Sequence, residues 1–181
     1  MDVPEIETER LYLRLLGMDD LDDYHQKIFA DADVMKYLPS GAPLPRERAE
    51  VIINRFHSHW ERHGFGIWGV VDKASGELIG HCGLQYLADT PEVEVAYALA
   101  KPYWGKGLAT EAAHTSLRFG FQEKKLERIV AIAIPANIAS RRVMEHNGMQ
   151  YEKDAEYFDL NVAYYSITRA MFLERANGSK G

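Results

Sequence analysis

Two glycines, Gly105 and Gly107, stand one residue apart in the segment YWGKGLATEAA, just before a helix-forming run. Glycine destabilises regular structure, so a pair at this spacing favours unusual backbone angles or the close approach of a bulky group. A strand that leads through such a turn into a helix leaves free N–H groups at the helix N-terminus, where the helix dipole favours negative charge. The segment therefore predicts an anion site.

The identity of the anion is narrowed by spacing and by local charge. The loop GxxxxGK(S/T) is absent, and GxGxxG fails because Thr110 occupies the third glycine position. Residues 101–142 hold eight basic and three acidic residues, although the whole chain carries a net charge of -6. A locally basic segment in an acidic protein suits a polyphosphate ligand with an uncharged or cationic co-substrate.

Hydrophobic periodicity predicts the elements around this turn. Alternating or β-branched runs predict strands at Arg10–Leu16, Phe65–Val71, Leu78–Leu87, Glu92–Ala100 and Arg128–Ile134, and a last hairpin at Tyr151–Phe158 and Ala163–Leu173. Helical spacing predicts two short helices after Gly17, one helix that Gly64 ends, and helices at Thr110–Gln122 and Ile138–His146. Residues 174–181 are expected to form a loose tail.

Three motifs together carry a resemblance to a known family. WGKGLA after VEVAYAL, followed by NIASRRVMEHNGM, resembles the acetyl-CoA-binding signature of the GNAT superfamily of N-acetyltransferases. ETERLYLRLLGMDDLDDY resembles its ribosomal-protein N-terminal acetyltransferase branch, called RimJ/RimL-like, and the match runs roughly over residues 8–172. The resemblance implies one GNAT domain over residues 1–181. Its α+β fold would have a mixed, mostly antiparallel sheet of six or seven strands, splayed central strands and about four helices.

The resemblance also implies where acetyl-CoA binds. Its pyrophosphate would contact the backbone N–H groups of Gly105, Lys106, Gly107, Leu108, Ala109 and Thr110. Further contacts are expected at Val95, Tyr97, Leu99, Trp104, Asn137 and Arg142. Two positions depart from the family pattern, since Trp104 replaces Gln or Arg and Ala96 replaces a typical glycine.

Acetylation of an amine needs a base, because an ammonium group cannot attack a thioester. Glu94 aligns with the strand glutamate that many superfamily members use as general base, and Glu92 lies on the same face. The leaving thiolate needs a proton, which many relatives supply from a tyrosine where this chain has Met144. Ser140 resembles the serine assigned that role in the RimJ/RimL-like branch, although it could equally be an ordinary residue of the helix N-terminus.

Other classes of site are disfavoured. Only His59 and His63 of the three neighbouring histidines share a helical face, so no metal is expected. Cys82 and His81 would point to opposite faces of a strand, which argues against a catalytic pair. The negative net charge argues against nucleic acid as a partner. No signal sequence or membrane span is recognisable, and we expect a cytoplasmic monomer or homodimer.

The sequence thus predicts direct acetyl transfer from acetyl-CoA to a primary amine in a ternary complex. Two alternatives stay open, namely a non-catalytic acyl-CoA-binding or sensing module and a nucleotide-binding protein that uses the same anion site. The acceptor is undefined, since the residues between Asp19 and Gly64 that would select it match no known code. Protein N-termini and small-molecule amines both fit.

Overall fold

The structure, a computed structural model, describes residues 1–179. The strands are β1 (Ile6–Glu7), β2 (Leu11–Arg14), β3 (Ile67–Asp72), β4 (Leu78–Tyr86), β5 (Val93–Leu99), β6 (Arg128–Ala133), β7 (Gln150–Tyr157) and β8 (Leu160–Thr168). The α-helices are α1 (Leu21–Tyr24), α2 (Ala32–Met35), α3 (Arg46–His63), α4 (Leu108–Arg118), α5 (Ile138–His146) and α6 (Arg169–Gly178). Within the described residues, no helix combines the length and apolar character needed to cross a bilayer.

The eight strands form one mixed sheet in the order β1-β2-β3-β4-β5-β6-β8-β7. Every neighbouring pair is antiparallel except β5 and β6, which are parallel and joined at one register pair, Glu94 with Val130. Beyond that pair the ladder ends and the two strands splay, as predicted. The sheet exceeds the predicted six or seven strands because the two-residue β1 pairs with β2.

The two faces of the sheet pack against different helices. Side chains alternate along a strand, so Val95 and Leu99 of β5 pack on the face covered by α4, whereas Ala98 joins the core beneath α1 and α3. Helix α3 buries Ala49, Ile53, Phe56 and Trp60 at the predicted spacing and ends at Gly64, whose φ of 68° is left-handed. Because strand β5 lies between the two cores, its side chains alternately face two different environments.

The C-terminal region differs from the prediction. Strand β8 ends at Thr168, and the side-chain oxygen of Thr168 accepts a hydrogen bond from the N–H of Met171 at 3.2 Å. This cap begins α6, which runs to Gly178. The prediction of a strand as far as Leu173 is therefore wrong, and so is the prediction of a loose tail over residues 174–178. The run RAMFLERA consists of good helix formers that the alternating pattern concealed. Residues 180–181 of the predicted tail lie outside the described residues.

A proline substitution distinguishes a helix from a loose segment at this position. Leu173→Pro should lower the free energy of unfolding by about 3 kcal/mol, because proline removes a helical N–H and clashes with the preceding turn. Leu173 is exposed, so the control Leu173→Ala should change stability by less than about 0.5 kcal/mol. Urea unfolding measures both values. Equal stability of the two variants would contradict the helix.

Candidate active site

The loop between β5 and α4 has the backbone geometry of an anion site. Gly105 and Gly107 have φ values of 71° and 76°, in the left-handed region that glycine tolerates. The N–H of Glu111 donates to the carbonyl of Gly107 at 3.1 Å. The N–H groups before Glu111 in the first helical turn therefore have no carbonyl of the same helix to donate to. A Cβ on Gly105 would meet no atom within 4 Å, so this side of the loop is open. The loop therefore fits a bulky anion.

Side chains beside the loop fix its position relative to the sheet. The indole Nε1 of Trp104 donates to the carbonyl of Leu99 at 2.7 Å, which ties the loop to the end of β5. The Lys106 Nζ lies 5.4 Å from the centre of the Tyr103 ring and is exposed. Leu108 is buried in the core, so only its backbone faces the loop. The Trp104 side chain thus holds the end of β5. The sequence showed only that Trp104 stands where the family has Gln or Arg, and this did not predict the contact.

Glu94 is the buried carboxyl group at the point where the sheet splays. Its side chain is 6% exposed, and its Oε1 accepts a hydrogen bond from Nε2 of Gln85 at 2.9 Å. Burial raises the pKa of Glu94 to about 7, although the Gln85 hydrogen bond and the charge of Arg55 oppose the shift. A carboxylate with a pKa near neutrality can accept a proton from an ammonium group and release it again.

Glu92, on the same face, has different surroundings. Its carboxylate accepts hydrogen bonds from Arg128 Nη1 at 3.1 Å, from the Tyr157 hydroxyl at 3.3 Å and from the Tyr164 hydroxyl. Arg128 also pairs with Glu152. The Glu92 carboxylate therefore joins β5 to the neighbouring strands, and its oxygens are committed to that network. Of the two candidate glutamates, Glu94 has the environment of a base.

Ser140 lies across the other face of β5. The hydroxyl of Tyr97 is 2.9 Å from the Ser140 Oγ and donates to the Ser140 carbonyl at 3.0 Å. Asn137 caps α5 by accepting a hydrogen bond from the Ser140 N–H at 3.2 Å. Burial raises the pKa of the Tyr97 hydroxyl. The structure thus joins two residues that the sequence placed in separate roles.

The remaining predicted positions differ in accessibility. Val95 and Leu99 are buried under α4, and Met144 is buried in the same core. The Met144 thioether has no proton to donate, so it cannot replace a proton-donating tyrosine. Arg142 is exposed on α5. Glu94 and Tyr97 lie on opposite faces of β5, about 10 Å apart along the strand. The candidate base and the candidate hydroxyl groups therefore approach the splayed gap from opposite sides.

Sequence reasoning did not identify Gln85, the hydrogen-bond partner of Glu94. Gln85 stands directly opposite Glu94 in the antiparallel pair of β4 and β5. If the register of the β4–β5 pair had been known, it would have aligned Gln85 with Glu94, and this was the one signal that the sequence offered. The register itself was not readable, since the irregular connection between β4 and β5 did not indicate a turn type.

The alternative sites have structural explanations. The two ring nitrogens of His59 contact the Phe65 carbonyl at 2.8 Å and the Tyr86 N–H at 3.3 Å. Burial raises the pKa of Cys82 to about 12, and its Sγ lies 3.4 Å from the Ser116 hydroxyl. The His81 ring contacts Tyr24 on the opposite side of β4. In residues 1–179, no three His, Cys, Asp or Glu side chains are grouped as metal ligands.

Comparison with known proteins identifies relatives of this arrangement. The model of the acetyltransferase (GNAT) domain family matches residues 10–150. The uncharacterized protein YkkB of Bacillus subtilis (strain 168) is 34% identical over 160 residues, which cover 87% of this chain and 92% of that protein. A GNAT-family acetyltransferase from Bacillus anthracis superposes with a TM-score of 0.77 at 30% identity, covering 92% of this chain and 99% of that one.

A more distant likeness extends to a solved complex. RimL, a ribosomal-protein alpha-N-acetyltransferase in complex with coenzyme A, superposes with a TM-score of 0.77. The identity is 18%, and the superposition covers 91% of this chain and 98% of RimL. At that identity the likeness is one of fold.

The burial of Glu94 predicts a pH-dependent stability. A pKa raised from 4.5 to about 7 means that the native state binds more protons between these pH values, so the contribution of Glu94 to stability falls as pH rises through this window. Glu94→Gln should therefore raise the free energy of unfolding at pH 8 by on the order of 3 kcal/mol. At pH 4 the two proteins should be nearly equal. Urea unfolding at both pH values checks this, and an equal difference at both would contradict it.

Proposed function

The chain belongs to the GNAT acetyltransferase family, as the sequence resemblance predicted, and is an N-acetyltransferase; we propose that it moves the acetyl group of acetyl-CoA directly to a primary amine in a ternary complex. The observation that carries this proposal is the position of Glu94. This carboxyl group, with a pKa of about 7, lies at the splay of β5 and β6, and the same strand leads into the open glycine loop. One strand thus connects a base with an anion site.

The glycine loop suits the pyrophosphate of acetyl-CoA. The six N–H groups from residues 105 to 110 supply donors, and the positive end of α4 and the nearby Lys106 favour negative charge. Asn137 and the edge of β5 at Val95, Tyr97 and Leu99 would hold the pantetheine arm, and Arg142 is available to the nucleotide end. This arrangement brings the thioester to the gap between β5 and β6. Acetyl-CoA supplies an activated acetyl group there.

The reaction then needs three proton movements: the ammonium group loses one proton before attack, the attacking nitrogen loses a second, and the thiolate gains one. Glu94 accepts a proton from the ammonium form of the acceptor, and the free amine attacks the thioester carbonyl. A C–N bond forms, the C–S bond breaks, and the thiolate of CoA takes a proton from the Ser140 hydroxyl, which regains one when the attacking nitrogen releases its second proton. The Tyr97 hydroxyl, 2.9 Å from Ser140 Oγ, would orient the Ser140 hydroxyl. Because the amine attacks the thioester itself, no covalent enzyme intermediate is required.

The acceptor is a primary amine on a protein N-terminus or on a small molecule. It approaches from the Glu94 face, which helices α1 and α3 cover. The chain outside residues 101–142 is acidic, and this favours a cationic acceptor. A panel of N-terminal peptides, polyamines and amino acids, assayed by release of free CoA thiol, identifies the class.

Glu94→Gln separates catalysis from simple binding of the cofactor. The variant should lower kcat at least about a hundredfold, because general base catalysis typically contributes that much. Its Kd for CoA should stay within about twofold of wild type, since Glu94 faces away from the anion loop. In the wild type, kcat/KM should rise with pH through about 7 as Glu94 ionises.

The matched control is Glu92→Gln, which changes a carboxylate two residues before Glu94, directly before the start of β5. It should retain most of the activity. A Glu94→Gln variant with wild-type kcat would contradict the assignment of the base. A wild-type protein that binds CoA but acetylates no amine of the panel would support a binding module, the alternative favoured by Met144 in place of the tyrosine.

Gly107→Val tests the anion loop. Valine at a φ of 76° is strained, and its Cβ would lie 3.4 Å from Arg10 Nη2, so the loop backbone should shift and the Kd for CoA should rise at least about a hundredfold. Gly76→Val is the control, because Gly76 has a similar φ of 72° in the turn between β3 and β4. Both variants should lose similar stability, but only Gly107→Val should lose CoA affinity in titration calorimetry. Unchanged affinity in Gly107→Val would refute the assignment.

A further inference from the structure

The segment before β2 is joined to the glycine loop by a group of polar contacts. The Arg10 guanidinium donates from Nε to Glu111 Oε2 at 2.7 Å and from Nη1 to the Lys106 carbonyl at 2.7 Å. The Arg10 N–H and the Thr8 hydroxyl both donate to Glu111 Oε1, at 2.8 and 2.7 Å. We call these four residues, Thr8, Arg10, Lys106 and Glu111, the loop clamp. It connects the ETERL motif with the WGKGLATE motif.

The clamp fixes the orientation of one peptide unit in the loop. The carbonyl of Lys106 and the N–H of Gly107 belong to the same trans peptide, so they point in opposite directions. Since Arg10 holds this carbonyl, the N–H of Gly107 is turned away from the Arg10 donor. Left-handed glycines tolerate many backbone angles, and a rotated peptide would present a carbonyl oxygen to an incoming anion. The Arg10 hydrogen bond opposes that rotation.

The clamp also neutralises a carboxylate at the anion site. Glu111 lies in the first turn of α4, where its charge would repel a pyrophosphate. Burial disfavours its ionisation, but hydrogen bonds from Thr8 and Arg10 outweigh burial and hold the pKa of Glu111 below its ordinary value. The Glu111 side chain is 17% exposed, and the Arg10 side chain is 44% exposed. A bound anion would therefore meet the ion pair of Arg10 and Glu111, which has no net charge and in which Arg10 is the more exposed partner.

We propose that Arg10, held by Glu111, is a positioning residue for the pyrophosphate of acetyl-CoA. The inference rests on the proposed function, because it assumes that this loop binds acetyl-CoA. It assigns a role to the ETERL motif, which the proposed chemistry leaves without one. Arg10 acts on affinity for the cofactor and not on the chemical step.

Another ion pair near the same strand provides a matched control. Arg14 donates from Nη1 and Nη2 to the two carboxylate oxygens of Asp20, at 2.7 and 2.8 Å. This pair has the same chemistry and comparable burial, but it lies at the other end of β2 and does not contact the loop. A general loss of stability should affect both arginine variants, whereas a loss of CoA affinity should be specific to Arg10.

The test compares Arg10→Ala with Arg14→Ala in the full chain. Arg10→Ala should raise the Kd for CoA and the KM for acetyl-CoA at least about tenfold, corresponding to about 1.4 kcal/mol, with little change in kcat. Arg14→Ala should stay within about twofold of wild type for both constants. Arg10→Lys should not restore affinity, because an ammonium group cannot reproduce the planar guanidinium contacts.

An acetyl donor that lacks the pyrophosphate distinguishes positioning of the pyrophosphate from a general structural role of Arg10. S-acetyl-pantetheine lacks the pyrophosphate, so wild type and Arg10→Ala should use it with equal, low kcat/KM. A tenfold difference that persists with this donor would overturn the inference, as would equal CoA affinity in the two arginine variants. Wild-type protein that binds no CoA would overturn the proposed function together with the inference.

Discussion

The interruption of hydrogen bonding between β5 and β6 is the constraint on which the rest of the site depends. An interior pair of strands normally satisfies its N–H and C=O groups along its whole length, and unpaired groups in a buried sheet are costly. Here the ladder is limited to the pair Glu94 and Val130. In the proposed complex, the strand edges beyond it pair with the pantetheine arm, and the thioester meets the amine through the gap.

Three glutamates that the proposed function involves, Glu92, Glu94 and Glu111, have different surroundings. Glu92 is matched by Arg128 and two tyrosine hydroxyls, and Glu111 is matched by Arg10 and Thr8. Glu94 is buried, and its described hydrogen bond comes from the neutral amide of Gln85. An arginine partner stabilises the ionised form, whereas burial beside an amide leaves the pKa near neutrality. Only the last environment suits a group that must take up and release a proton in each turnover.

Local patterns were predictable from the sequence, and contacts distant in sequence were not. The strand, glycine turn and helix around Gly107 follow from residues adjacent in the chain, and the apolar spacing of α3 follows from one helical period. The C-terminal helix was missed because the alternation of β8 was extended as far as Leu173 and the residues after it were interpreted as a loose tail. The contact between Arg10 and Glu111 joins residues 101 positions apart, and that between Tyr97 and Ser140 spans 43. One sequence contains no periodicity that encodes such pairs.

In the proposed function, the alternation of β5 explains how acceptor choice can be separated from cofactor binding. Val95, Tyr97 and Leu99 face α4 and α5, on the side of the anion loop and Ser140. Glu94 and Ala98 face the opposite side, where α1 and α3 pack. Under the proposed function, substitutions in the helices before Gly64 would change the surface that meets the amine and leave the residues proposed to hold CoA unchanged. The proposed base, Glu94, lies on the side of α1 and α3 and is held by a hydrogen bond from Gln85 of β4. In this proposal, a change of acceptor class comes from new residues in α1 to α3 and leaves the proton chemistry in place.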